Sequence, residues 1–146
     1  SRRDVDGEPR ERAFVALGSN LGDREGHLRE AREALGRLPG TELTAASAIE
    51  ETEPLAGLAQ PPYLNQMVVL ETTLSPRALL DALHDIERQA GRVRGSRWEA
   101  RTLDLDIVRY GEQRVDEPDL IIPHPGLPHR DFWLRELAEL QSHERR

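Results

Sequence analysis

The chain has 146 residues, which is enough for one domain with a hydrophobic core and too few for two domains of ordinary size. Its 20 basic and 27 acidic residues give a net charge of −7, which argues against nucleic-acid binding driven by overall charge. It contains no cysteine, so thiolate chemistry is excluded, and a metal ion would have to bind to carboxylates or to the 5 histidines.

Residues 1–12 are polar and charged, and they predict a flexible tail. The run 13–17 is apolar on both faces and stops at Gly18, which predicts a buried first strand. An amphipathic helix follows, with Asp23 as its N-cap and Pro39 beyond its end. Its apolar positions recur at spacings of three and four, at Leu28, Ala31, Leu35 and Leu38.

Alternation over 43–49 predicts a second strand, and the apolar run 67–70 predicts a third. Ser75 and Pro76 mark the start of a second helix, because a hydroxyl caps it and proline suits its first position. The helical stripe continues to Gly91, and an Arg-rich connection over 92–101 follows. Strict alternation over 102–108 predicts a fourth strand.

The order β-α-β-β-α-β predicts an α+β fold, a ferredoxin-like sandwich with two helices on one face of a mainly antiparallel sheet. In this arrangement the opposite face of the sheet is free. A ligand would bind on that face or in the loops beside it. No apolar run approaches the roughly 20 residues that span a bilayer, so we expect a cytoplasmic protein without a membrane partner.

Asp104 and Asp106 are the sharpest chemical feature. Side chains two residues apart on a strand share a face, so both carboxylates lie opposite the apolar residues between them. Two like charges at that distance repel each other, and a divalent cation would stabilise both. An alternating strand with a solvated acidic face is the alternative for an isolated Asp-x-Asp.

Four arginines directly precede the acidic pair: Arg92, Arg94, Arg97 and Arg101. A magnesium polyphosphate needs both groups, because guanidinium groups bind phosphate oxygens and carboxylates bind the metal. A solvated basic loop is the alternative for the arginines taken alone. The two features together favour a polyphosphate site.

Three loops carry weaker signals. Residues 18–23 contain two glycines but lack the spacing of a phosphate-binding loop, so they predict a turn and a helix cap. Tyr63 and Asn65 suit a planar heterocycle, although Tyr63 has the alternative of covering the core. His124 and Arg130 lie in a proline-stiffened loop and suit phosphate or base, and a structural hydrogen bond is the alternative for His124.

In this order the motifs resemble the HPPK family of folate biosynthesis over about 13–140. They are Gly-Ser-Asn-Leu-Gly-Asp at 18–23, Pro-Tyr-Leu-Asn at 62–65, Gly-Arg-Val-Arg at 91–94, Arg-Trp at 97–98, Arg-Thr-Leu-Asp-Leu-Asp-Ile at 101–107, and Pro-His at 123–124 with Arg130 and Phe132. The motif at 101–107 is far more specific than an isolated Asp-x-Asp. We therefore expect residues 13–146 to form a single HPPK-like catalytic domain.

The resemblance implies Mg²⁺-dependent transfer of pyrophosphate from ATP to 6-hydroxymethyl-7,8-dihydropterin, which gives AMP and the pterin diphosphate. It implies that Asp104 and Asp106 bind two magnesium ions and that Arg92 and Arg101 act on the phosphates. No strong general base is evident in the sequence. Catalysis would then rest on alignment and charge neutralisation, with a mobile loop closing over the site.

The same resemblance assigns the two substrate sites. The implied ATP-binding residues are His84, Glu87, Arg92, Arg94, Arg97, Trp98, Arg101, Ile107, His124 and Arg130. The implied pterin-binding residues are Thr52, Pro54, Leu55, Tyr63, Asn65 and Phe132. His84 stands where the family commonly has glutamine, and Glu136 replaces a frequent proline, which predicts a plain helix for the last element.

Two other classes of protein fit parts of the pattern. A ferredoxin-like module that binds RNA or nucleotides without catalysis would use the open sheet. The strands lack the aromatic residues of that type, and the acidic pair would repel phosphate unless a metal ion intervened. A magnesium phosphohydrolase would not need Tyr63, Asn65 and Phe132. We expect a monomer that binds ATP and the pterin and does not bind nucleic acid.

Overall fold

The computed structural model describes residues 9–54, 61–94 and 103–144, with the backbone alone for 92–94 and 143–144. The strands are β1 Glu11–Ser19, β2 Thr41–Ala46, β3 Glu50–Thr52, β4 Tyr63–Thr72, β5 Asp104–Tyr110, β6 Val115–Glu117 and β7 Leu120–Ile122. The helices are α1 Arg24–Gly36, α2 Pro76–Arg94 and α3 Asp131–Glu144. A 3-10 turn, Leu127–His129, precedes α3. None of the helices in these ranges is long and apolar enough to cross a membrane.

The main sheet has the strand order β2-β4-β1-β5, and all of its pairings are antiparallel. The short strand β3 pairs with the first residues of β4, and β6 and β7 form a separate hairpin. The expectation of an α+β protein with a mostly antiparallel sheet is confirmed. The hairpin was not predicted, because strands of three residues show too little alternation to be recognised.

Both predicted helix starts carry the expected caps. The Asp23 side chain accepts a hydrogen bond from the Gly26 backbone N–H at 3.0 Å, and Ser75 Oγ accepts one from Ala78 N–H at 3.1 Å. The predicted end of the second helix at Gly91 is wrong, because α2 continues to Arg94. One glycine costs a helix only about 1 kcal/mol, so it does not by itself end α2.

The predicted second strand over 43–49 is divided in two. The pairing of β2 with β4 shifts register between Leu43 and Ala45, and the strand ends at Ala46. Ser47 then binds Met67 of β4 with both its backbone and its side chain. Its N–H donates to Met67 O at 2.8 Å, and its Oγ accepts from Met67 N–H at 3.0 Å. A side chain thus replaces a backbone partner, and regular pairing resumes only at β3. The fourth strand is also shifted, to Asp104–Tyr110.

The main sheet separates two hydrophobic cores. On one face, apolar residues of α1 and α2 pack against alternate residues of the strands, such as Val15, Leu17 and Val68. On the other face, α3 packs against Phe14, Met67 and Val108. The prediction of a free second face is therefore wrong for the half that α3 covers, while the prediction of a plain last helix is confirmed. The covering residues of α3 are Trp133, Leu137 and Leu140.

Candidate active site

The uncovered half of the second face carries polar side chains. Antiparallel pairing aligns Asn65 of β4, Gly18 of β1 and Asp104 of β5 in one row across the sheet. The next row aligns Met67, Ala16 and Asp106. Asp104 and Asp106 therefore lie on the face opposite Leu105, which belongs to the α1/α2 core.

The central strand has small residues where the two rows cross it. A Cβ atom added at Gly18 would lie 3.4 Å from Asn65 Oδ1 and 3.6 Å from a ring carbon of Tyr63. Because glycine has no side chain and Ala16 has only a methyl group, the space above β1 stays open between the polar side chains of β4 and β5. These two residues form the floor of a pocket of about 690 Å³. That volume is typical of small-molecule sites.

The predicted site residues whose side chains the structure describes all line this one pocket. The predicted ATP-binding and metal-binding residues among them are His84, Glu87, Asp104, Asp106, Ile107, His124 and Arg130. The predicted pterin-binding residues among them are Thr52, Pro54, Tyr63, Asn65 and Phe132. Leu55, Arg97, Trp98 and Arg101 lie outside the described residues, and Arg92 and Arg94 are described as backbone at the end of α2.

The predicted pterin end is formed by β3, β4 and the start of α3. Asn65 Nδ2 donates a hydrogen bond to Thr52 Oγ1, so the amide is oriented by the neighbouring strand. Tyr63 belongs to neither core, which disagrees with the alternative that it covers the core. Phe132, half-buried, packs against the edge of the α3 core. Burial raises the pKa of the Tyr63 phenol, and the nearby Asp104 carboxylate raises it further.

His124 is held by contacts on both sides of its ring. Its Nδ1 accepts a hydrogen bond from Gly126 N–H at 2.9 Å, so the neutral ring carries its proton on Nε2. Nε2 lies 3.6 Å from Asp106 Oδ1. The backbone N–H of His124 donates to Val108 O at 3.0 Å. These contacts fit the structural alternative for His124 and also aim its N–H group at the acidic pair.

Arg130 and His124 both contact the indole of Trp133. The Arg130 guanidinium carbon lies 4.3 Å from the centre of the Trp133 ring, and the His124 ring stands perpendicular to it at 4.9 Å. Phe132 contacts the indole at a centroid distance of 6.2 Å. Trp133 is 3% exposed and lines the pocket.

Glu87 has a structural contact besides its place in the pocket wall. Its Oε2 accepts a hydrogen bond from Leu105 N–H at 2.7 Å. Among the strands of the described ranges, β5 is the last of the main sheet, so this N–H has no partner in those strands on that side. Glu87 therefore joins α2 to the free edge of β5, between Asp104 and Asp106.

The described lining of the pocket carries more negative than positive charge. Its carboxylates are Glu53, Glu87, Asp104, Asp106 and Asp119, and its one arginine is Arg130. A triphosphate would be repelled by such a surface unless cations accompany it. Within the described ranges, no three His, Asp or Glu side chains are grouped as a complete metal site. A pair of carboxylates instead suits magnesium that takes its other ligands from phosphates and water.

Several residues of the pocket were not predicted from the sequence. Ala16 and Gly18 had a readable signal, since they are small residues at alternate positions of a predicted strand. Trp133 follows Phe132 directly, but nothing in the sequence aligns it with His124. Asp119 reaches the pocket from the hairpin and is held by two hydrogen bonds from Arg77, at 2.8 and 3.0 Å. The Arg77 guanidinium holds the pKa of the Asp119 carboxyl below its ordinary value.

Comparisons with known proteins identify the family of this chain. Residues 14–142 match the family model described as 7,8-dihydro-6-hydroxymethylpterin-pyrophosphokinase (HPPK). A 2-amino-4-hydroxy-6-hydroxymethyldihydropteridine pyrophosphokinase of Pseudomonas aeruginosa is 46% identical over 130 residues, which cover 89% of this chain and 80% of that protein. The enzyme of the same name from Bacillus subtilis is 41% identical over 128 residues, covering 88% and 77%. This chain belongs to the HPPK family.

Proposed function

We propose that this chain transfers pyrophosphate from ATP to 6-hydroxymethyl-7,8-dihydropterin, the reaction of its family in folate biosynthesis. The observation that carries the proposal is the single pocket in which an acidic pair on β5 faces the Asn65–Tyr63 end of β4. The pterin hydroxymethyl oxygen forms a bond to the β-phosphorus, the bond from the β-phosphorus to the α-phosphate oxygen breaks, and AMP leaves. The hydroxyl proton is released.

We propose that Asp104 and Asp106 hold two magnesium ions. Three observations of the pocket support this assignment: the shared face of the two side chains, the excess of carboxylates in the described lining, and the 40% exposure of the Asp106 side chain. Bound magnesium would neutralise phosphate charge and make the attacking hydroxyl more acidic. The acidic pair itself acts by fixing where that charge lies relative to the pterin end.

The protein's own catalytic contribution is alignment and charge. His124 Nε2 lies beside Asp106, and the Arg130 guanidinium lies over the Trp133 ring that His124 also contacts. Both groups line the pocket as donors suited to phosphate oxygens. We propose that Arg92 and Arg101 bind the phosphates during transfer, and that Arg94, Arg97 and Trp98 belong to a loop that closes over ATP. His84, Glu87 and Ile107, which also line the pocket, would complete the ATP site.

The pterin would lie between the aromatic rings of Tyr63 and Phe132. Both rings line the pocket, and a flat heterocycle between them gains stacking in addition to burial. Asn65 offers an amide to the edge of the ring, and Thr52 orients that amide. Pro54 and Leu55 would flank the same edge with backbone groups.

The domain organisation and the fold type follow from the same assignment. The sheet order β2-β4-β1-β5 supports a ferredoxin-like sandwich to which β3, the hairpin and α3 are added. The match over 14–142 supports a single catalytic domain over 13–146. The predicted tail over 1–12 is wrong for Glu11 and Arg12, because both residues belong to β1 and pair with β4. We propose a monomer, since one chain supplies both ends of the pocket, and a cytoplasmic location, where ATP is available.

The proposal is tested by product analysis. With magnesium, ATP and the pterin alcohol, we expect AMP and pterin diphosphate in equal amounts, and little AMP when the pterin is omitted. Release of inorganic phosphate that does not depend on the pterin would indicate a phosphohydrolase. Binding of ATP or RNA without any product would indicate a binding module. Either result would contradict the proposed function.

A further inference from the structure

The indole of Trp133 contacts two polar groups of the site, the His124 ring and the Arg130 guanidinium. Among the described ring contacts, its one contact with the pterin end is with its neighbour Phe132. The ring is 3% exposed and belongs to the core under α3. It therefore has a fixed position, set by the packing of α3 on the sheet. Because the ring is fixed in the core, it can also fix the side chains that pack against it.

The Arg130 guanidinium lies over the Trp133 ring. Its guanidinium carbon is 4.3 Å from the ring centroid, within the range in which a cation is attracted to an aromatic face. Arginine has many rotamers, and a stacked guanidinium loses much of that freedom. The contact therefore restricts the direction in which Arg130 presents its N–H groups.

The His124 ring stands perpendicular to the same indole. Gly126 has no side chain, which leaves space for the Arg130 and His124 side chains. A Cβ atom at residue 126 would lie 2.9 Å from Arg130 Nε, closer than real Cβ atoms come, and 3.2 Å from His124 Nδ1, which is a tight contact. The residue also donates its N–H to His124 Nδ1. Gly126, His124, Arg130 and Trp133 thus form one packed group, which we call the indole cluster.

We propose that Trp133 is a positioning residue for the ATP end of the pocket, which holds Arg130 and His124 in place before ATP binds. This inference rests on the proposed function, because it assigns ATP as the ligand of those two groups. The two ligands should therefore respond differently to loss of the indole: the affinity for ATP should fall, and the affinity for the pterin should stay nearly unchanged. A purely structural role would alter both sites or stability alone.

The test is a double-mutant cycle with Trp133→Leu, Arg130→Ala and the combined variant, measured by titration with a non-hydrolysable ATP analogue and magnesium. We expect Trp133→Leu to weaken binding by roughly threefold to tenfold. His124 keeps its hydrogen bonds to Gly126 and Val108 without the indole, so most of the loss should pass through Arg130. The double variant should therefore bind within about twofold of Arg130→Ala alone. Trp133→Phe, which keeps an aromatic face, should lie between wild type and Trp133→Leu. Leu134→Ala, at an exposed position of the same helix, is the matched control.

A measurement without ligand separates this inference from the proposed function. In wild type, the indole ring current should shift the Arg130 Nε–H resonance upfield, the signal being assigned by its loss in Arg130→Lys. The shift should shrink in Trp133→Phe, which also serves if Trp133→Leu does not fold. An Arg130 resonance that Trp133→Phe leaves unchanged, or losses that multiply in the double variant, would overturn the inference. If wild type binds no ATP analogue, the proposed function fails, and the resonance alone decides whether Trp133 positions Arg130.

Discussion

The two faces of the main sheet are built from the same strands but differ along their length. Toward α1 and α2, the strands present mainly apolar residues, including Ala13, Val15 and Leu17 of β1. Toward α3, the same strand presents Phe14 and Ala16 and then Gly18, where packing gives way to the pocket. One face is a continuous core, and the other is half core and half site.

This difference shows how a small domain combines stability with a ligand site. The helix α3 covers only the apolar half of its face, and its first residues, Phe132 and Trp133, form part of the pocket wall. The polar half lies where β4 and β5 carry Asn65, Asp104 and Asp106. We therefore expect substitutions in the α1/α2 core away from the pocket to alter stability alone, and substitutions at the polar half to alter ligand binding far more than stability.

The largest expected effect on stability is on the continuous core. Leu83 of α2 is fully buried and does not line the pocket. Leu83→Ala should lower the free energy of unfolding by about 2–5 kcal/mol, because it removes buried methyl groups and leaves a cavity. Denaturant unfolding measures the loss, and ATP-analogue affinity of the folded protein should stay at the wild-type value. Leu134→Ala, at an exposed leucine, should change the free energy by less than about 0.5 kcal/mol.

A smaller effect is expected at a buried carboxyl group beside the α3 core. Glu136 is 2% exposed, and burial raises its pKa from the ordinary 4.5 to about 9, with the nearby Glu50 carboxylate adding to the shift. Burial also tends to raise the pKa of Glu50, but its interactions with Glu136 and Arg135 outweigh burial and place that pKa below its ordinary value. The Glu136 carboxyl group therefore stays protonated at neutral pH, beside the ionised Glu50 carboxylate.

The sign of the pH dependence follows from the raised pKa of Glu136. The unfolded chain loses this proton near pH 4.5 and the folded chain near pH 9, so the contribution to stability is full below pH 4.5 and is lost as the pH rises through 9. Glu136→Gln should therefore stabilise the protein at pH 8 by on the order of 1–3 kcal/mol and have little effect near pH 4. Thermal unfolding at several pH values measures this, with the exposed Glu112→Gln as control. A gain that does not change with pH would contradict the raised pKa of Glu136.

The smallest effect concerns the pterin end. Tyr63→Ala and Phe132→Ala should each weaken pterin binding by roughly 0.5–1.5 kcal/mol beyond the loss of buried area, and should weaken ATP-analogue binding less. Calorimetric titration of each ligand separates the two. Tyr110→Phe is the matched control, since the Tyr110 hydroxyl donates to Leu74 O on the α1/α2 side of the sheet. Equal losses for both ligands would exclude stacking of the pterin on these rings.

The features that the sequence predicted well are those with a strong local cause. Apolar spacing and the side-chain caps at Asp23 and Ser75 predicted α1 and the start of α2. Alternation placed Asp104 and Asp106 on one face of a strand, opposite Leu105. Resemblance to the HPPK family then brought together residues that are far apart in the chain, and the side chains that are described line one pocket.

The features that it predicted poorly depend on contacts between distant segments. Alternation over 43–49 continues through Ser47, whose hydroxyl nevertheless interrupts the strand by binding the backbone of Met67. The position of α3 on the sheet is set by Phe14, Met67 and Val108 on three separate strands, so no local pattern shows which half of the face it covers. The role of Trp133 requires the proximity of His124 and Arg130, which only the fold provides.

The central claim is that the polar half of the α3 face is a metal-dependent nucleotide site, and Asp106 tests it most directly. A ligand that binds only the folded state raises the midpoint of thermal unfolding by mass action. With magnesium and a non-hydrolysable ATP analogue, wild type and the surface variant Asp116→Asn should show the same rise, and chelator should remove most of it. Asp106→Asn should unfold at or above the wild-type midpoint without ligand, because it relieves repulsion with Asp104, and should show little rise with ligand. An Asp106→Asn protein with the full magnesium-dependent rise and normal AMP release would contradict the assignment of this pocket.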